Sequence, residues 1–300
     1  MQEFLQQLVN GIVWGSAYAL IALGYTMVYG ILRLINFAHG DVYMAGAYVA
    51  FFTAGALGGL AMGSPAGALV VMLIAMSGSG LLGYGIERIV YRPLRAAPRL
   101  TLLIAAIGVS LFLEYSAQLA FGSEPRLFPQ LVPARTVVSA CGVVISNQQA
   151  IIVAVSLALG LGLQFIIHHT SMGRAMRAVS FDREAASLMG VNVDRVISFT
   201  FVLGSALAGA AAVLVPMNNP QILPFMGVQP GLKAFVAAVL GGIGNVWGAI
   251  AGGLLMGIAE IMVVGYLASS YRDGIVFAIL IVVLIVKPTG LFGSPVTDRA

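Results

Sequence analysis

The 300-residue chain is short of charge: Asp, Glu, Lys and Arg make up 9% of it, against roughly 25% in ordinary soluble domains. With 60% hydrophobic residues, a soluble globular enzyme of this composition could not cover its own surface. A disordered chain is excluded for the same reason. The net charge is +4 and the pI about 9.4, but no basic block is present, which argues against nucleic acid as a partner. A single cysteine, Cys141, excludes an internal disulfide and a cysteine metal site. The phosphate-binding Gly-x-x-x-x-Gly-Lys-Ser/Thr loop is missing. No His/Cys/carboxylate cluster has metal-ligand spacing, and no Ser/His/Asp set can be assembled. Catalytic residues, bound metal and cofactor are therefore not expected. His168 and His169 are adjacent, so on a helix they diverge by about 100° and read as interfacial. Any energy source must be external, or the solute gradient itself.

Long apolar runs fill the rest of the chain, at a mean hydropathy of +0.99. They do not alternate and exceed the ten or so residues of a barrel strand, so the expected class is an all-α integral membrane protein. At about 20 apolar residues per span, candidates lie near 8–32, 41–62, 66–87, 100–121, 149–168, 197–217 and 272–287. The stretch 232–265 is long for one crossing and short for two. The expectation is one polytopic domain over 1–300, a bundle of about eight transmembrane helices. Eight of the 15 basic residues fall in two loops, Arg88, Arg92, Arg95 and Arg99 in one and Arg174, Arg177, Arg183 and Arg195 in the other. The positive-inside rule makes both loops cytoplasmic. The loop 122–148, broken by Pro125, Pro129 and Pro133, then lies outside. The N-terminal residues, without Lys or Arg, are expected on the outer side. A cleaved signal peptide is not expected, because its positive n-region is missing. Lys287 and Arg299 favour an inner C-terminus.

Two places interrupt the apolar runs. The first, 35–41, holds Asn36, His39 and Asp41 just before Tyr43. It reads either as a tight turn with Asp41 as N-cap or as a break that dips into the bilayer and lines a cavity. The second, 240–248, holds Gly241, Gly242, Gly244 and Asn245 and divides 232–265 into a half-helix, a turn and a longer helix. Gly244, Gly248 and Gly252, with Gly253 and Gly257, form a small-residue ridge suited to close helix approach. Glu114 and Glu260 stand inside apolar segments, where structural or interfacial roles compete with a role in a pathway. Tyr18, Tyr25, Thr26, Tyr43 and Tyr48 read as packing residues that could also meet a polar solute.

The basic loop 173–195 reads GRAMRAVSFDREAASLMGVNVDR. Ser180 or Asp182 can cap a short helix through Glu184-Ala185-Ala186, and Gly190 can end it. Met176, Val179, Leu188 and Met189 offer apolar grip to another protein.

On three stretches, 24–48, 173–195 and 233–260, and on the ending KPTGLFG at 287–293, the sequence resembles the LivH-type permeases of branched-chain amino acid ABC importers. The resemblance covers nearly the whole chain. It implies a bacterial inner-membrane permease that works with a second, LivM-type permease, two cytoplasmic ATPases and a periplasmic binding protein. Glu184-Ala185-Ala186 followed by Gly190 matches the Glu-Ala-Ala-x-x-x-Gly core of an ATPase-coupling loop, though the Ile-x-Leu-Pro tail is absent. The coupling residues it implies are Arg174, Arg177, Asp182, Glu184, Ala185, Ala186 and Gly190. The translocation path would use Asn36, His39, Asp41, Tyr43, Gly241, Gly242, Gly244 and Asn245. Urea, short amides or other amino acids are alternative cargoes of the same machine. A secondary transporter or channel is the alternative of another class.

Overall fold

A computed structural model describes residues 2–60, 63–140 and 142–293; Cys141 and Arg299 lie outside them. Its helices are α1 (Gln2–Leu32), α2 (His39–Leu57), α3 (Pro65–Ile86), α4 (Arg99–Phe121), α5 (Asn147–His169), α6 (Ser171–Phe181), α7 (Arg183–Leu188), α8 (Val193–Asn218), α9 (Val228–Gly241), α10 (Val246–Tyr266) and α11 (Arg272–Val286). A π turn, Glu87–Tyr91, extends α3. Strands β2 (Thr136–Ala140) and β3 (Val143–Ser146) form a hairpin, and β1 (Arg126–Leu127) pairs antiparallel with β4 (Gln221–Ile222). Among the described residues, 7 helical segments are long and apolar enough to cross a membrane, and α9 is a shorter apolar helix. The all-α polytopic bundle expected from sequence is thus observed. The awkward stretch 232–265 resolves as anticipated into the 14-residue α9 and the 21-residue α10.

One end of the bundle carries the β pairs. There the Gln6 side chain bonds both Val144 backbone groups, and Gly63 N donates to Leu131 O. The opposite end carries α6, α7 and the α3–α4 turn, where Arg92 and Arg95 pair with Asp194. The chain after α11 returns to this end, with Leu291 N and Phe292 N donating to Leu240 O and Gly241 O. α1 and α8 are the most enclosed of the long helices, and α4, α5 and α11 sit at the periphery. Outward-facing side chains such as Leu119 and Ile285, 91% and 76% exposed, form the apolar jacket expected against lipid.

Lipid tails are as apolar as leucine, so helices in a membrane gain little from hydrophobic association and rely on close packing. The small residues supply it. A Cβ on Gly257 would sit 2.2 Å from Gly15 N, and one on Gly253 2.6 Å from Ala19 Cα, along the α1–α10 seam. A Cβ on Gly209 would sit 2.7 Å from Ala75 O, between α8 and α3. The ridge anticipated on α10 therefore has two faces, Gly253 and Gly257 toward α1, and Gly248 and Gly252 toward α9.

α1 lies along α10 and α8 along α3, while α2 lies on α8 and α9 on α1. Two units, α1–α2–α3 and α8–α9–α10, thus embrace each other with opposite direction, the arrangement of inverted-repeat transporters. Each contains a break. α1 stops at Leu32, and Arg33 turns the chain with φ +55, the one non-glycine residue with positive φ among those described. Residues 33–38 then re-enter the bundle, so that His39 meets Gly24, eight residues up α1, about 12 Å from its end. α8 ends beside the β pairs, and the chain re-enters through 223–227 to begin α9. Gly227 and Gly231 press on Gly40, where a Cβ would sit 2.5 Å from Gly227 O. Helices α2 and α9 therefore start at one point inside the bundle and run in opposite directions.

The first break spans 33–38, overlapping the expected 35–41 and displaced toward the N-terminus, and its chain turns back into the bundle. Asp41 is not the N-cap, a position held by Ala38 without a side-chain cap bond. Asp41 lies inside the first turn of α2 and accepts a hydrogen bond from Ser110 of α4. The segment enters a packed interior, where that hydroxyl is the donor within reach. The second break is 242–245, inside the expected 240–248.

A broken-helix centre, a cavity and an exposed loop

At the centre, Asn36, His39, Asp41 and Tyr43 are all 3% exposed or less. Asn36 Oδ1 accepts from the Tyr91 hydroxyl at 2.9 Å. The His39 ring packs edge-on against Tyr25, centroids 4.8 Å apart. His39 Nε2 and Asp41 Oδ1 are buried with no hydrogen-bond partner among the described residues. Unpaired buried groups are costly, and two helix N-termini bring partial positive charge to the same place, with His39 N, Asp41 N and Val228 N bonded to Asn36 O, Ala38 O and Phe225 O. Glu114, four residues beyond Ser110 on α4, is 7% exposed and lies on the face that meets Asp41. It is therefore buried inside the bundle, not snorkelled to an interface.

Gly244 and Asn245 are elsewhere. They line a cavity of about 630 Å³ at the α6 end, together with Tyr29, Arg33, Gln164 and Arg177. Its size falls in the range of small-molecule sites, its lining carries arginines but no carboxylate, and Thr26 and His168 also border it. Asn245 caps α10 by accepting from Gly248 N at 3.1 Å and donates to Phe292 O at 3.1 Å. Gly241 and Gly242 do not reach the cavity. They are packing positions: a Cβ on Gly241 would lie 1.8 Å from Gly248 O, and Gly242, at φ +103, abuts Gly293. Tyr29 and Ile243 of the cavity wall also pack near Tyr25, the residue resting on His39, with no room for a water between. The expected path residues thus divide between a closed centre and an open cavity, with Gly241 and Gly242 in neither.

In the loop, Thr170 caps α6, and Asp182 caps α7 by accepting from Glu184 N and Ala185 N at 2.8 and 3.0 Å. Gly190 ends the motif at φ +83, a conformation that favours glycine. Arg174, Arg177, Asp182, Glu184, Ala185 and Gly190 are exposed, while Ala186 is buried. Met176 and Val179 face inward and anchor α6 to the bundle, contrary to the expectation that they grip a partner. Their places are taken by Phe181, 81% exposed, beside Leu188 and Met189 at 88% and 84%. Phe181 was not singled out in the sequence, because the helical phase of α6 decides which of its apolar residues turn outward.

One cluster has no counterpart in the motifs. Glu260 of α10, fully buried, accepts from Lys233 Nζ of α9 at 2.9 Å and from Arg272 of α11, while Lys233 also pairs with Asp273 at 2.8 Å. Arg272 rests over the Trp14 ring, 5.5 Å from its centroid. Glu260 is an internal tie rather than an interfacial group. Lys233, one of few basic residues inside an apolar run, was the available signal.

The family described as the branched-chain amino acid transport system permease component matches residues 7–284. The chain belongs to this family. The high-affinity branched-chain amino acid transport system permease protein LivH of Escherichia coli is 46% identical over 99% of this chain and 97% of its own length. The corresponding protein BraD of Pseudomonas aeruginosa is 46% identical over 99% of this chain and 98% of its own. LivH of Salmonella typhimurium is 45% identical over 99% and 97%. The chain is a multi-pass membrane permease component.

Proposed function

We propose that this permease carries branched-chain amino acids from periplasm to cytoplasm as one subunit of an ABC importer in a bacterial inner membrane. It performs no covalent chemistry. The observation that carries the reading is the α6–α7 surface: a capped Glu184-Ala185-Ala186 turn, stopped at Gly190 and flanked by exposed Phe181, Leu188 and Met189, on a chain of this family. Large exposed apolar side chains beside a charged loop are what a protein partner buries. Here the partner is one of two cytoplasmic ATPases, contacted by Arg174, Arg177, Asp182, Glu184, Ala185 and Gly190 and held in shape by Ala186. A LivM-type second permease and a periplasmic binding protein complete the machine.

The arginine-rich α6 end is cytoplasmic and the β-pair end periplasmic. The N-terminus is then periplasmic, and the C-terminus, following 287–293 at the α6 end, is cytoplasmic. The path runs past Asn36, His39, Asp41 and Tyr43 to the vestibule of Gly244 and Asn245, with Gly241 and Gly242 shaping its wall. A zwitterion suits helix N-termini and two unpaired polar atoms, and Met27, Ile31 and Ile243 of the cavity wall suit an aliphatic side chain.

Co-purification tests the reading. The wild type captures its ATPase, and Glu184→Ala or Gly190→Val lowers transport per ATP hydrolysed with the fold intact. Unchanged coupling in both variants refutes the docking role. Leucine, isoleucine or valine stabilise the partner binding protein against heat. Stabilisation by urea or short amides alone replaces the cargo.

A further inference from the structure

The loop that faces the ATPase and the first break are joined by one side chain. Arg183 opens α7, directly after the capping Asp182 and before the Glu184-Ala185-Ala186 turn. Its Nη2 donates to Ile31 O at 2.7 Å. Ile31 lies in the last turn of α1, and its intrahelical partner would be the N–H of residue 35, already outside the helix. Arg183 therefore supplies the bond that the end of α1 lacks. Two residues later the backbone turns left-handed at Arg33 and starts back toward His39 and Asp41.

This contact spans 152 residues of sequence and joins elements with different work. α7 carries the exposed apolar pair that follows it, while the end of α1 sets where the re-entrant segment begins. It is also held against opposition. Burial, and after it the like charges of Arg95 and Arg33, lower the Arg183 pKa from its ordinary value. Arg95 is engaged by Glu87 and Asp194, whereas Arg183 forms no ion pair among the described residues. Among these cations, the Ile31 carbonyl is the partner that the Arg183 guanidinium holds.

We propose that Arg183 is the positioning residue that transmits movement of the docking loop to the end of α1, and so to the broken segment at the centre of the path. The proposal rests on the docking reading above. Pull on α7 draws Ile31 and the Arg33 turn with it; release of the bond frees the segment 33–38 to move independently of the ATPase.

The test uses the complete importer in lipid vesicles, with leucine uptake and ATP hydrolysis measured together, for wild type, Arg183→Ala and Arg183→Lys. Capture of the ATPase is measured first on the wild type. No capture there overturns the docking reading itself and is recognised before any variant is compared. With capture established, Arg183→Ala is expected to retain its ATPase but lose about tenfold in leucine moved per ATP, the scale of one charge-assisted hydrogen bond. Arg183→Lys, which still presents a charged donor, recovers a substantial part. Hydrogen exchange on the same samples is expected to show faster exchange at residues 33–38 in Arg183→Ala. Wild-type coupling in Arg183→Ala overturns the proposal. So does loss of transport in step with loss of ATPase capture, which would make Arg183 a docking residue, and so does unchanged exchange at 33–38.

Discussion

The two broken-helix units solve one packing problem in different ways. In the first, α2 lies against α3 and α8 through small residues: a Cβ on Gly46 would meet Ser79 Oγ at 2.5 Å, Ala212 Cβ at 3.1 Å and Gly209 Cα at 3.2 Å. In the second, α9 packs as closely, with Gly252 pressed on Ala237, but is also tied by charge, Lys233 to Glu260 on α10 and to Asp273 on α11. Close packing tolerates sliding but no added volume. A buried ion pair tolerates neither separation nor loss of a partner, since either leaves an uncompensated charge. One half-helix is thus bedded, and the other bedded and bolted. α2, without an ion pair among the described residues, follows the helix end that Arg183 reaches.

The largest break in this comparison is expected from Lys233→Met. Removing one partner of a buried pair costs about 3–5 kcal/mol, read as a fall in thermal stability of the detergent-solubilised protein. The double variant Lys233→Met with Glu260→Met is expected to recover most of it, since apolar replacement of both partners is often neutral; no recovery would mean that the cluster is more than a tie. Next is Gly40→Val at the meeting point of the two helix starts. Overpacking there costs about 1–3 kcal/mol, and leucine uptake should fall further than stability does. Gly55→Ala, with nothing within 4 Å, serves as a silent control in the same assay. Gly46→Ala should cost about 1–2 kcal/mol, and Ser79→Gly in the same chain should return part of it by removing the hydroxyl in the way. The smallest effect belongs to Ser79→Ala. Its bond to Val42 O is long at 3.4 Å, so the change should stay within about 1 kcal/mol, against the several expected at the matching ionic position in the second unit. A large loss at Ser79 would erase the distinction between the units.

Some of this was open to sequence reasoning because it depends on local chemistry. The Asp182 cap, the Gly190 stop and the Asn245 turn follow from residues that satisfy backbone groups within three or four positions. Two basic loops at one end followed from counting arginines. Asp41 does not cap α2, because capping is only a local preference and the chain instead sets it inside the first turn, where it meets a hydroxyl on α4. Met176 is buried and Phe181 exposed because, five positions apart, they lie about 140° apart around α6, and only the bundle decides which side it covers. Lys233, Glu260 and Arg272 are separated by 27 and 12 positions, and nothing local brings them together.

The sequence by itself determined the membrane class, the orientation signal, the positions of both interruptions to within a few residues and the capped Glu184-Ala185-Ala186 turn. Each is a property of composition or of neighbours along the chain. Only the tertiary structure decided that α2 and α9 start at one buried point, that Gly241 and Gly242 pack while Gly244 and Asn245 line a cavity, and that Arg183 closes the end of α1. Those facts depend on which helices lie side by side. In a membrane that choice is made by shape and by a few buried polar contacts, because the hydrophobicity that marks every span is the same on all of them.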